Sequence, residues 1–168
     1  MVAERRDEVD EIVAAWERER PDLDVTPLTV LSRLSRLSRQ LDLARRRSFS
    51  DHGLEGWEFD VLAALRRAGR PYELPPRELL RQTLVSSGTT TNRIDRLESR
   101  GHVERRPDPA DRRGVLVRLT ATGRHAVDAA FEALLTSERE LLAGLTDRRR
   151  AELAKLLRAL TGTFEEAA

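Results

Sequence analysis

Cysteine is absent from this chain of 168 residues, and histidine occurs only three times. Disulfides, thiolate metal sites and thiol-based redox sensing are therefore closed to it. His52, His102 and His125 stand far apart without ligand-spaced neighbours, so no metal is expected. The sequence also lacks a phosphate-cradling glycine loop, a nucleophile beside a visible base, and paired carboxylates in a cleft motif. Neither a cofactor nor an enzymatic activity is expected. No apolar run approaches the roughly 20 residues that span a bilayer, and the charged N-terminus does not resemble a signal peptide. The expectation is a cytoplasmic protein with no membrane partner. Net charge is lacking too: Lys and Arg total 30 against 29 Asp and Glu. Any electrostatic site must come from local segregation of charge.

What is present is helix. The hydrophobic fraction is 39% and the charged fraction 35%, a balance that fits a folded, helix-rich, soluble chain. In RRDEVDEIVAAWERER, Val9, Ile12, Val13 and Trp16 form one apolar stripe, and Pro21 ends the helix. Thr26-Pro27 starts a second helix, which runs to near Arg47, with Leu28, Leu31, Leu34, Leu37 and Leu41 as its ridge. Its arginines, Arg33, Arg36, Arg39 and Arg45 to Arg47, read as a solvated face. A third helix spans Gly56 to Ala68 and stops at Gly69-Arg70-Pro71. Pro75-Pro76 opens a short fourth, and a turn with Val85, Ser86 and Ser87 leads into a fifth, Gly88 to Arg100, closed by Gly101. Val103 to Arg106 and Val115 to Leu119 alternate as strands do, joined by a loop too long for a tight turn. Thr120 caps a long helix to about Ala143, and Thr146-Asp147 caps a last one carrying Leu153, Leu156, Leu157 and Leu160.

The fold class is therefore mainly α with a small β-hairpin: a winged helix-turn-helix domain flanked by N- and C-terminal dimerisation helices. The divisions fall at 1–52, 53–120 and 121–168. The flanking helices have apolar stripes with no obvious burial within one chain, so a second copy is the simplest cover.

Function concentrates in two places. On the fifth helix Thr90, Ile94 and Leu97 face inward, which leaves Thr89, Thr91, Asn92, Arg93, Arg96 and Arg100 outward. With Ser86 and Ser87 at its start, that face has the chemistry of major-groove reading: Arg for guanine, Asn for adenine, Ser and Thr for phosphate or methyl. The hairpin then projects Arg112 and Arg113 from PDPADRR, where arginine can enter a narrow minor groove. Asp111 is expected to pair with one of them. Double-stranded DNA is the expected partner. An ordinary solvated helix and a casual surface loop would have to coincide in this order to imitate the pattern.

The run SSGTTTNRIDRLESRGHVERRPDPADRRGVLVRLTATG resembles the core of MarR-type transcriptional regulators. The resemblance covers most of the chain. It implies a homodimer on a pseudo-palindromic operator, usually a repressor, released by a small anionic or aromatic ligand. The N-terminal helix is similar to that of the subgroup responding to urate and related anions, which implies a ligand site at Trp16, Asp60, Arg93 and Arg105. Asp60 shares a face with Trp57, Val61 and Ala64, so a half-buried carboxylate paired to an arginine is expected. The bland alternative is a packing tryptophan and a structural ion pair. The competing function is an architectural DNA-binding protein of low sequence preference and no ligand.

Overall fold

The computed structural model describes residues 6–83 and 87–165, without the side chains of 87–90, 112 and 163–165. The chain divides into two compact units, 1–47 and 48–168. Ser86 and Val85 lie outside the described residues, as does the side chain of Thr90.

In the first unit α1, Glu8–Glu19, begins on a reciprocal cap: Asp7 accepts the Val9 and Asp10 N–H groups while Asp10 accepts that of Asp7. It buries Val9 and Val13 but leaves Trp16 exposed. α2 is Thr26–Ser50. Its basic face is partly neutralised by α1, because Arg33 bridges Asp7 and Asp10 at 2.9 and 2.7 Å and Arg36 pairs with Glu8. α2 continues past Arg47 to Ser50, further than the sequence pattern indicates. Phe49 supplies the reason: its ring stacks on Phe59 with centroids 4.1 Å apart.

In the second unit α3, Gly56–Arg67, is the central element, burying Phe59, Val61, Leu62, Ala64 and Leu65. Both of its faces are apolar, as a helix covered on two sides must be. α4 is Pro76–Thr83, anchored by Leu79, and α5 is Ser87–Ser99, anchored by Ile94 and Leu97. Gly101, at φ 71°, ends α5 in the left-handed conformation that a side chain resists.

The sheet has three strands rather than two. β1, Glu73–Leu74, pairs with β3, Asp111–Leu119, which pairs with β2, Val103–Asp108, all antiparallel in the order β1-β3-β2. Two residues are too few to show an alternating pattern, which is why β1 escapes the sequence. The β2–β3 connection is also a correction. The strands extend to Asp108 and Asp111, leaving only Pro109 and Ala110 between them, with a register shift at Pro107/Asp108 where proline has no N–H to give the ladder. Asp108 accepts the Ala110 N–H at 2.8 Å and Asp111 that of Arg113 at 3.0 Å. Asp111 is thus engaged by backbone, not by the Arg113 guanidinium. A Cβ on Gly114 would lie 2.9 Å from that of Asp108, so the hairpin needs glycine there.

Thr120 alone separates β3 from α6, Ala121–Leu141. Its hydroxyl accepts the Gly123 N–H at 3.0 Å and donates to the Gly101 carbonyl at 2.7 Å. Gly123 lies so close to β2 that a Cβ would fall 2.1 Å from the His102 carbonyl oxygen. α7 is Asp147–Glu165. Along α6, α7 and the turn between them, Phe131, Leu141, Leu142, Leu153, Leu156 and Leu157 stay exposed, Leu156 at 61%.

Candidate nucleic-acid interface

α5 is held against α3 by a carboxylate that the sequence reading passes over. Glu58 is fully buried, with its side chain turned to the recognition-type helix. The Arg100 guanidinium donates to both of its oxygens, at 2.6 Å to Oε1, and reaches the Gly53 carbonyl at 2.6 Å. The Glu55 N–H donates to Glu58 Oε2 at 2.9 Å, and Arg96 Nε stands 4.0 Å from Oε1. A buried charge so surrounded is compensated; removing Arg100 would strand it. The signal was present in the sequence, since Glu58, Leu62 and Leu65 recur at i, i+4 and i+7 on one face.

Beside this anchor lies a more exposed group. Glu55 accepts the Trp57 indole N–H at 2.6 Å and pairs with Arg96. The indole N–H first, and then Arg96, hold the Glu55 carboxyl below its usual range. Arg93 and Arg96 lie over the Trp57 ring, 5.1 and 5.5 Å from its centre, in cation–π contact. Arg96, expected to stand free on the outer face, is folded back onto α3. Thr91 and Asn92 are exposed, on the side away from Ile94 and Leu97. Ser87 and Thr89 belong to the first turns of α5, but their side chains lie outside the described residues.

The wing is braced to the same helix. Arg105, on β2, donates to Asp95 at 2.5 Å and to Glu98, and its backbone N–H reaches Glu98 at 3.0 Å. Its guanidinium is engaged by α5. Arg113 is exposed at the tip, and Arg112 stands beside it in β3 with its side chain outside the described residues. The helix-turn-helix and wing are thus one mechanical piece, presenting Thr91, Asn92 and Arg113.

A model of the MarR family matches residues 52–114, a span covering α3 to the wing tip. The HTH-type transcriptional regulator PecS of Dickeya dadantii is 39% identical over 159 residues, covering 95% of this chain and 93% of that protein. The chain belongs to the MarR family. Among solved MarR-family structures, a cysteine-to-serine mutant of MarR from E. coli complexed with operator DNA aligns with a TM-score of 0.67 at 31% identity, over 82% of this chain and 99% of that one. BpsR of Bordetella bronchiseptica, whose DNA binding is regulated by 6-hydroxynicotinic acid, aligns at 0.65 and 29% identity, over 79% and 92%.

The ligand residues implied by the urate-responsive resemblance fall in both units. Trp16 belongs to the first unit; Asp60, Arg93 and Arg105 belong to the second. Asp60 is exposed rather than half-buried, because the inward-facing carboxylate of α3 is Glu58. Arg93 faces Trp57, and Arg105 faces Asp95 and Glu98. Among the described residues no cluster of three or more His, Asp or Glu is arranged to hold a metal, and no helix is long and apolar enough to cross a membrane.

Proposed function

We propose that this MarR-family chain is a homodimeric, sequence-specific transcriptional repressor that a small anionic or aromatic ligand releases from a pseudo-palindromic operator. The observation that carries the reading is the pairing of an exposed Thr91–Asn92 face on α5 with an arginine-tipped wing braced to that helix by Arg105. α5 enters the major groove, where Asn92 reads adenine and Arg93 or Arg96 reads guanine once turned outward. Ser86, Ser87, Thr89 and Thr91 meet phosphates or thymine methyls, and Arg112 and Arg113 enter the adjacent minor groove. Residues 53–120 are the reading domain, and 1–52 and 121–168 supply the dimer. The apolar side chains exposed on α6 and α7 support a second copy as their cover.

The effector contacts Trp16, Asp60, Arg93 and Arg105. An anion drawing Arg93 from Trp57, or Arg105 from Asp95 and Glu98, loosens α5 or the wing and lowers affinity for DNA. The operator complex of E. coli MarR and the 6-hydroxynicotinic acid regulation of BpsR support both halves of this reading by similarity.

The test is selection of duplexes from a random pool by the purified protein, followed by titration of winner and random duplexes at one fixed salt concentration. Urate and aconitate are then added. The expected result is a two-fold motif with half-sites about 34–36 Å apart, and loss of binding with one anion. Equal affinity for selected and random DNA, unchanged by either anion, would replace the repressor with an architectural protein.

A further inference from the structure

The least expected cluster of charge lies on the other edge of the sheet, away from α5. A cleft of about 370 Å³ opens there between Arg70, Tyr72, Arg118, Thr120 and Arg124. Three guanidiniums line it, and no carboxylate does. Elsewhere in this unit converging arginines meet acids: Arg96 and Arg100 converge on Glu58, and Arg105 takes Asp95 and Glu98. Here they do not. Among the described residues Arg70, Arg118 and Arg124 form no ion pair, although Glu73 is the cross-strand neighbour of Arg118. The fourth nearby arginine, Arg66, is neutralised by Asp128 at 2.8 Å.

Tyr72 sits in the middle of this field. Arg66 and Arg124 lie over its ring, 5.1 and 6.0 Å from the centre. Its backbone is at φ 65°, a conformation open to glycine and resisted by a tyrosine. A hydrogen bond from Arg70, then the charge of Arg66 and a hydrogen bond from Arg124, hold the phenol below its ordinary titration range. The phenol thus registers a positive potential that nothing in the cleft neutralises. Like charges held around one opening repel, and an anion entering it is attracted by all three.

We propose that this cleft binds a compact, multiply charged oxyanion, a phosphoryl or polycarboxylate group, held by Arg70, Arg118 and Arg124 with the Tyr72 hydroxyl beside it. The volume falls in the range of roughly 300–1,000 Å³ typical of small-ligand sites. The site is separate from the wing tip: Arg118 is seven residues along β3 from Asp111, or about 23 Å at ~3.3 Å per residue. It shares no residue with the proposed Trp16–Asp60–Arg93–Arg105 effector site, so it stands whether or not that reading holds.

Tyr72 is the only tyrosine in the chain, which makes the phenolate absorbance of the intact protein a direct readout. The groups acting on the phenol are Arg66, Arg70 and Arg124, with Arg118 lining the same cleft, Asp128 behind Arg66 and Glu73 beside Arg118. A bound dianion adds negative charge next to the phenol and so raises its midpoint. The experiment titrates Tyr72 in inorganic phosphate, in citrate, and in sodium chloride matched for ionic strength. The expected result is a saturable upward shift with phosphate or citrate that chloride does not reproduce. Which of the two produces it separates a phosphoryl ligand from a polycarboxylate. The Arg118→Gln/Arg124→Gln variant, checked for native circular dichroism, should lose the shift. A midpoint that follows ionic strength alone in the wild-type protein overturns the proposal, as does a shift that survives in the folded double variant.

Discussion

Glu55 and Arg96 form a half-exposed pair that contributes little to stability, yet it decides where one outward arginine of α5 points. Glu58 and Arg100 already tie α3 to α5, so breaking Glu55–Arg96 leaves the joint intact. Glu55→Gln keeps an oxygen for the Trp57 indole while removing the charge that retains Arg96. We expect duplex DNA to bind about two- to five-fold tighter, with a salt slope steeper by about 0.9 per protomer if Arg96 gains a phosphate. In an Arg96→Ala background the same change should do nothing, and equal tightening in both backgrounds would reduce the effect to bulk charge.

His102 gives a second prediction at this scale. Burial first, and then the nearby Arg100, lower its pKa below 6.5, with Glu58 opposing, and its Nδ1 has no hydrogen-bond partner among the described residues. The folded state holds this proton less tightly than the unfolded chain. Its contribution is complete above about 6.5 and is lost as pH falls through the lower folded value. Urea midpoints should therefore decline on acidification through that window, and His102→Leu should flatten that part of the decline. An unchanged slope in the variant would assign the decline to other groups.

At the scale of elements, the junction of β2, β3 and α6 has no slack. Gly123→Ala would press a methyl against the His102 carbonyl, so α6 or the start of β2 must move. A loss of about 2 kcal/mol or more in chemical denaturation is expected, and a neutral result would mean that the helix shifts freely. The elements with long periodic signals were legible beforehand: α1, α3, α6 and α7 lie close to where stripes and caps put them. The winged helix-turn-helix order was legible for the same reason. The misses have local causes. β1 is two residues long, the end of α2 is set by the Phe49–Phe59 stack, and the wing turn is tightened by Asp108 and Asp111 bonding backbone. Within the site, the direction of a guanidinium depends on partners distant in sequence. Arg96 reaches back to Glu55, Arg100 to Glu58 and Arg93 to Trp57, and no spacing rule on α5 alone reveals that.

For the whole molecule, the exposed leucines of α7 are the feature one chain leaves unfinished. Leu156 and Leu157 are open in the single chain, whereas buried side chains of this size contribute roughly 1.5–3 kcal/mol each. Leu156→Glu with Leu157→Glu should shift sedimentation from dimer to monomer and abolish cooperative binding to a two-fold site. A dimer that persists would move the interface elsewhere on the flanking helices.

The single residue between β3 and α6 has a mechanical consequence. With Thr120 capping the helix and Gly123 seated on His102, the wing base and α6 meet without a hinge. α6 is 21 residues long, about 32 Å at ~1.5 Å per residue. It therefore acts as a lever arm: a tilt of about 5° at its far end carries the wing base through about 3 Å. In the proposed dimer such a lever would convert a small adjustment among distant helices into a stride close to half the spacing between successive phosphates on a strand, so the distance between the two reading heads would be governed from a place that never touches them.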